Sequence, residues 1–136
     1  MTENHHILVV DDNRLNRIKL SHNLEKQGYV VSLAENGRIA LEMLRTEPFD
    51  LVLLDIIMPE MDGFQTLTEM KRDNALSLIP VIVISALDET ESIVRCIEMG
   101  AEDYITKPFE PLLVKVRIQT SLELKRLRAK EAAYKK

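Results

Sequence analysis

Short runs rich in valine, isoleucine and leucine constrain this sequence most, because each ends in a residue that can do chemistry. Such continuous runs are typical of strands buried on both faces of a parallel sheet. The carboxyl ends of parallel strands meet at one edge, where sites form. The runs and their following residues are 7–10 before Asp11 and Asp12, 51–54 before Asp55, 81–84 ending in Ser85, and 104–106 before Lys107. The pattern predicts a site for a hard cation and a phosphoryl group.

Strand and helix patterns alternate along the whole chain. The predicted strands cover 7–10, 29–34, 51–55, 81–85 and 103–106. The predicted helices cover 14–27, 37 to the residues before Pro48, 64–72, 89–99, and a last helix that starts at Pro111. Asn13 and Asp88 are the expected caps, and Gly28 and Gly100 the expected stops. This alternation predicts an α/β fold, with helices on both faces of a parallel sheet and right-handed crossovers.

Length and composition exclude several classes of protein. The 136 residues are enough for one domain with its own core. The net charge of -4 argues against direct binding of nucleic acid. A single cysteine, Cys96, rules out an internal disulfide and is expected to be a small buried hydrophobe. The polar start is not a signal peptide and no run is long enough to span a membrane, so we expect a cytoplasmic protein.

Three carboxylates are expected at the same edge of the sheet. Asp11, Asp12 and Asp55 would repel one another and raise each other's pKa unless a cation were present. Carboxylates of this kind suit Mg²⁺, which binds one or two of them together with a substrate phosphate. Aspartate also follows strands because it favours turns and helix caps, which would explain one such residue. It does not explain the acid pair, a separate strand-end aspartate, a hydroxyl and a lysine together.

Asp55 is placed to act as a nucleophile on phosphorus and form an aspartyl phosphate. The Lys107 ammonium and the Ser85 hydroxyl would contact the phosphoryl oxygens. Two other classes fit less well. Flavodoxin-like proteins share the alternating pattern but need a glycine- or hydroxyl-rich first loop. Phosphatases with an aspartate nucleophile carry a second aspartate shortly after it, where this chain has residues 56–58, Ile-Ile-Met.

The chain resembles the receiver domain of bacterial two-component response regulators up to about residue 122. Four motifs carry the resemblance, in order and at the right separation, and none departs from the family's core pattern. They are Val-Val-Asp-Asp-Asn at 9–13, Leu-Leu-Asp-Ile-Ile-Met-Pro-Glu-Met-Asp-Gly at 53–63, Ile-Ser-Ala at 84–86, and Asp-Tyr-Ile-Thr-Lys-Pro-Phe at 103–109.

The resemblance implies a five-stranded sheet in the order 2-1-3-4-5 within a doubly wound, three-layer α/β/α (CheY-like) fold. It implies Asp55 as phosphoacceptor, with Asp12 binding Mg²⁺ directly and Asp11 largely through water. The backbone carbonyl of Ile57 would complete the protein ligands of the metal. Lys107 would contact the phosphate, and its bond to Pro108 would be cis.

The resemblance also implies a switch and a phosphoryl donor. Ser85 would be the switch hydroxyl and Tyr104 the switch aromatic, and both can point away from Asp55 before phosphorylation. Phosphorylation would remodel the surface formed by the fourth helix, the fifth strand and the last helix. The donor would be a phosphohistidine on a kinase or phosphotransfer protein. His5, His6 and His22 are instead expected to be surface residues.

Such a domain would be no enzyme beyond its own phosphorylation and dephosphorylation. Ile57 and Leu87 are apolar at positions where polar side chains could orient an attacking water. We therefore expect slow loss of the phosphoryl group.

The last helix continues past the receiver, so we divide the chain into a receiver domain at 1–122 and a helical extension at 123–136. One face of the helix has a heptad-like spacing that could pair with a second copy and connect to a missing output domain. A frayed, solvated tail is the alternative reading of this extension. A stand-alone receiver that acts as a phosphorelay or docking adaptor is the alternative function. The heptad-like face of the last helix comprises Arg117, Thr120, Leu124, Leu127, Glu131 and Tyr134.

Overall fold

The computed structural model describes residues 4–134 and has five strands alternating with five helices. The strands are β1 (His6–Val10), β2 (Val30–Ala34), β3 (Leu51–Leu54), β4 (Val81–Ser85) and β5 (Asp103–Thr106). The helices are α1 (Arg14–Lys26), α2 (Gly37–Thr46), α3 (Gly63–Arg72), α4 (Thr90–Glu98) and α5 (Pro111–Tyr134).

The strands form one parallel sheet in the order β2-β1-β3-β4-β5, which confirms the predicted fold and strand order. β3 lies at the centre of this order, and its residues and those of the neighbouring strands β1 and β4 are almost all buried. This burial explains why their sequences are continuously apolar rather than alternating.

Successive strand residues point to opposite faces of the sheet and supply two separate cores. Leu8 and Val10 pack with buried residues of α2, α3 and α4. Ile7 and Val9 pack on the other face with Leu24 of α1 and with buried residues of α5. Three helices therefore cover one face and two cover the other.

Side chains that cap helices fix where several connections end. Asn13 accepts a hydrogen bond from the Asn16 amide at the start of α1, as predicted, and Asn36 caps α2 in the same way. The prediction that Asp88 caps α4 was wrong. Glu89 is the N-cap residue instead, because the helix starts one residue later than the sequence pattern indicated. Its side chain makes no capping hydrogen bond.

The last helix changes character along its length. Ile118 is fully buried, whereas Leu124 and Leu127 are 39% and 45% exposed. Lys125 still contacts the sheet end through Asp50, at 3.6 Å between Nζ and Oδ1. Of the heptad positions, the Tyr134 side chain lies outside the described part of the chain, as do residues 135 and 136 of the extension.

We expect the two parts of α5 to differ in their contribution to stability. Ile118→Ala should lower the free energy of unfolding by about 2–5 kcal/mol, because it leaves a cavity in a packed core. Leu127→Ala should change it by less than about 0.5 kcal/mol, because that side chain is half exposed. Urea denaturation of both variants measures this, and equal losses would place the extension within the core.

Candidate functional site

The parallel register brings the predicted site residues to one edge of the sheet. Val10 of β1 lies opposite Leu54 of β3, so the next residues, Asp11 and Asp55, begin at the same height. The Asp55 amide donates to the Val10 carbonyl at 2.9 Å. Ser85 ends β4 at the same edge of the sheet.

Three carboxylates converge here as the sequence predicted. One oxygen from each of Asp11, Asp12 and Asp55 lies within 4.8 Å of the others. Asp11 and Asp55 are 2% and 6% exposed, whereas Asp12 is open to solvent. An all-carboxylate donor set with one solvent-facing member fits a hard cation that retains several waters, as Mg²⁺ does.

The Lys107 ammonium lies between the two buried acids. Its Nζ is 2.8 Å from Asp11 Oδ2 and 3.1 Å from Asp55 Oδ2. The Lys107 amide donates to the Ser85 carbonyl at 2.8 Å, and the bond to Pro108 is cis, as the resemblance implied. One lysine thus neutralises part of the charge of both carboxylates.

Burial and charge act in opposite directions on this cluster. Burial raises the pKa of Asp55 above its ordinary value and the Asp11 charge adds to this rise, although Lys107 opposes it. Burial alone would lower the pKa of Lys107, but its hydrogen bond to Asp11 and the charges of both acids raise it overall. The lysine therefore stays charged. Burial disfavours the ionised form of Asp55, which a further cation would stabilise.

Local hydrogen bonds fix the orientation of the two buried carboxylates. Asp11 Oδ1 accepts from the Asn13 amide at 2.8 Å, and Asp55 Oδ1 accepts from the Ile56 amide at 2.7 Å. The Arg17 guanidinium donates to the Asp11 carbonyl at 2.6 Å. Arg17 was not among the predicted site residues. Its only signal in the sequence was a cation one turn into the helix that follows the acid pair.

The loop after β3 passes very close to the start of α3. A β-carbon on Gly63 would lie 2.4 Å from the Asp55 carbonyl oxygen and 2.6 Å from the Ile56 α-carbon. The Gly63 amide donates to the Ile56 carbonyl at 2.8 Å. Glycine at position 63 is therefore required for this close approach. Ile57, whose carbonyl is a predicted metal ligand, is 53% exposed in the same loop.

Ser85 and Tyr104 both contact the Leu87 peptide. Ser85 Oγ accepts from the Leu87 amide at 3.2 Å, and the Tyr104 hydroxyl donates to the Leu87 carbonyl at 2.5 Å. Burial raises the pKa of Tyr104. The half-buried ring packs on the core beneath α2, α3 and α4. The tyrosine is therefore turned inward in this structure, and the resemblance implied that it can also point away before phosphorylation.

His6 was expected to be a surface residue, and it is half-buried with contacts that the sequence did not indicate. It lies in β1, its ring is 4.1 Å from that of Phe49, and its Nε2 is 2.7 Å from Ser32 Oγ. These contacts lie at the opposite end of the strands from Asp11. Cys96 is fully buried, as predicted, and burial raises the pKa of its thiol.

Residues 7–119 match the family described as the response regulator receiver domain. The chain belongs to this family. It is therefore a receiver domain of two-component systems, in which histidine kinases or phosphotransfer proteins phosphorylate such domains.

Three known proteins illustrate the relationship. The receiver is 36% identical to the alkaline phosphatase synthesis transcriptional regulatory protein PhoP of Bacillus subtilis, over 97% of this chain and 54% of PhoP. It is 41% identical to protein PilH of Pseudomonas aeruginosa, over 76% of this chain and 86% of PilH. A CheY-like receiver structure from Methanospirillum hungatei superposes with a TM-score of 0.87 at 27% identity, covering 93% of this chain and 99% of that one.

The receiver spans about half the length of the curated relatives that it matches over nearly its whole length. Within residues 4–134 of the receiver, none of the helices combines the length and apolar character needed to cross a bilayer.

The raised pKa of Asp55 predicts a pH dependence of stability. Folding favours the protonated carboxyl, so the unfolded state ionises first as pH rises above 3.8, and stability then falls until the folded form ionises. Without metal, Asp55→Asn should therefore be more stable than wild type at pH 7, with a smaller difference at pH 3.5. Denaturation in chelator at both pH values measures this. A wild type that gains on the variant as pH rises would show that the attraction to Lys107 outweighs burial.

Proposed function

We propose that Asp55 accepts a phosphoryl group from the phosphohistidine of a kinase or phosphotransfer protein, and that this modification switches the domain. The observation that carries the proposal is the contact of one ammonium, Lys107, with the buried carboxylates of both Asp55 and Asp11. A buried nucleophile beside a fixed cation suits phosphoryl transfer, which depends on positioning and neutralisation of charge.

In the proposed reaction, an Asp55 carboxylate oxygen attacks phosphorus while the bond from phosphorus to the histidine nitrogen breaks. The imidazole leaves and takes up a proton. Lys107 exchanges part of its contact with Asp55 for a phosphoryl oxygen, and the Ser85 hydroxyl donates to another. Asp11, Asp12, Asp55 and the Ile57 carbonyl would hold Mg²⁺, which would supply positive charge beside the phosphoryl oxygens. Beyond this self-modification the domain is no enzyme.

The contacts of Leu87 support a route from the site to the outer face. Drawing the Ser85 hydroxyl toward a phosphoryl group removes the acceptor of the Leu87 amide. The carbonyl of the same residue holds Tyr104. A shift of this segment therefore alters the face formed by α4, β5 and α5, and a local charge becomes a change in a surface.

Exposed apolar side chains on α5 support dimerisation through this face and the last helix. Leu113, Val116, Leu124 and Leu127 are each 39–47% exposed and recur at helical spacing along one side. We propose that the receiver (1–122) passes its signal through the extension (123–136) to an output domain in a cytoplasmic protein, with no nucleic acid or membrane contact of its own. A stand-alone adaptor is the alternative.

Beryllofluoride, which imitates a phosphoryl group on aspartate, tests the switch. With Mg²⁺ present, we expect ¹⁹F NMR to detect bound beryllofluoride and light scattering to show a shift from monomer to dimer. Asp55→Asn should abolish both effects. The half-buried Asp50, at the opposite end of the sheet, provides the matched control for binding, and Asp50→Asn should retain bound beryllofluoride.

The outcomes of this experiment distinguish a receiver that controls an output domain from a stand-alone adaptor. Binding without a change in mass would favour the stand-alone adaptor. Absence of binding to the wild type would overturn the proposed chemistry.

The apolar side chains at Ile57 and Leu87 predict a long-lived phosphoryl group. In the purified receiver, Ile57→Asn should shorten its lifetime by about tenfold, less than the roughly hundredfold or more of a positioned general base, because asparagine only orients water. Release of radiolabelled phosphate measures the lifetime, with Ile57→Val as the apolar control. A wild-type lifetime of seconds that lengthens in Ile57→Asn would contradict the prediction.

A further inference from the structure

The loop between β3 and α3 contains a strained turn. Glu60 has a φ of 65°, the only positive value at a non-glycine residue in the described range 4–134. The Met61 amide donates to the Pro59 carbonyl at 2.7 Å, which closes a three-residue turn around Glu60. Such turns are rare and energetically unfavourable, and they persist only where neighbouring structure holds them.

A buried side-chain amide at the N-cap of α2 contacts this turn. Asn36 Nδ2 donates to Glu60 Oε2 at 3.1 Å, and the Asn36 residue is only 5% exposed. Asn36 Oδ1 is occupied as well, because it accepts from the Ile39 amide at 2.9 Å. Both polar atoms of the Asn36 side-chain amide are therefore hydrogen-bonded, and the side chain joins the start of α2 to the loop after β3.

Gly37, the next residue, packs closely against the same loop and the start of α3. A β-carbon on Gly37 would lie 1.9 Å from Thr66 Oγ1 and 3.0 Å from both the γ-carbon and the carbonyl oxygen of Met61. Thr66 Oγ1 in turn donates to the Asp62 carbonyl at 2.8 Å. The start of α2 thus meets the loop through a hydrogen bond and through close packing.

We propose that Asn36 and Glu60 are positioning residues for the cation site, and that their contact holds the loop carrying the Ile57 carbonyl ready for Mg²⁺. This inference rests on the proposed function and adds a support that it did not include. Without the contact, Glu60 can leave its strained conformation and the loop acquires other arrangements. The ion must then order the loop when it binds, which weakens binding.

Two substitutions remove the contact in different ways. Asn36→Ser keeps a good helix cap but is too short to reach Glu60. Glu60→Ala removes the acceptor. Each should weaken Mg²⁺ binding by about tenfold, the lower end of the range for residues that orient metal ligands. The double variant should be no weaker than either single variant, because both remove one interaction.

Two controls separate positioning from other effects. Glu60→Gln retains an acceptor oxygen at the same reach and should bind within twofold of wild type. Ile118→Val, in the core on the opposite face of the sheet, lowers stability without touching the loop and should also leave affinity unchanged. Dissociation constants come from Mg²⁺ titrations followed by backbone amide NMR, alongside unfolding curves in chelator.

The titrations distinguish this inference from the function on which it rests. A wild type that does not bind Mg²⁺ overturns both. A wild type that binds, with both single variants within twofold of it, overturns the positioning role alone. Equal losses in Glu60→Gln and Glu60→Ala would also overturn it, because the carboxylate charge rather than the contact with Asn36 would be responsible.

Discussion

The attraction of one ammonium to two buried carboxylates is the interaction on which the site depends. Lys107 contacts both Asp11 and Asp55, which are nearly excluded from water. Removing charges from water is unfavourable unless they are paired and hydrogen-bonded. The lysine compensates only in part, because the pKa of Asp55 remains raised by burial. The folded protein thus holds a reactive carboxylate in a state that further positive charge would stabilise.

The fold can maintain this arrangement because the sheet beneath it is rigid and fully covered. Both faces of the central strands pack against helices, so the strand ends have fixed positions. The acids and the lysine come from the ends of different strands and depend on strand register rather than on one flexible loop. Their supports come from helix starts: Arg17 and Asn13 hold Asp11, and Gly63 lies against the residues that follow β3.

Local sequence patterns predicted the strands, all five helix starts to within one residue, and the convergence of the three acids. The strand order came from the resemblance, because periodicity alone does not order a sheet. The contacts that were missed join distant residues. His6 reaches Ser32, 26 positions away, and Asn36 reaches Glu60, 24 positions away. A polar residue at a helix start looks the same in sequence whether it also binds another loop or only caps the helix.

The inward position of Tyr104 changes how the proposed switch must work. If the ring already packs on the core, phosphorylation has no empty space for it to fill. The remaining variable is the Leu87 peptide, whose amide and carbonyl are shared between Ser85 and Tyr104. Ser85 accepts from that amide, so its O–H is free to donate to a phosphoryl oxygen, and the side-chain rotation that brings Oγ to a phosphoryl group moves the acceptor away from the amide. The switch that we propose then consists of stabilising one arrangement of the 85–87 segment over others, a shift in population rather than a rotation of the aromatic ring.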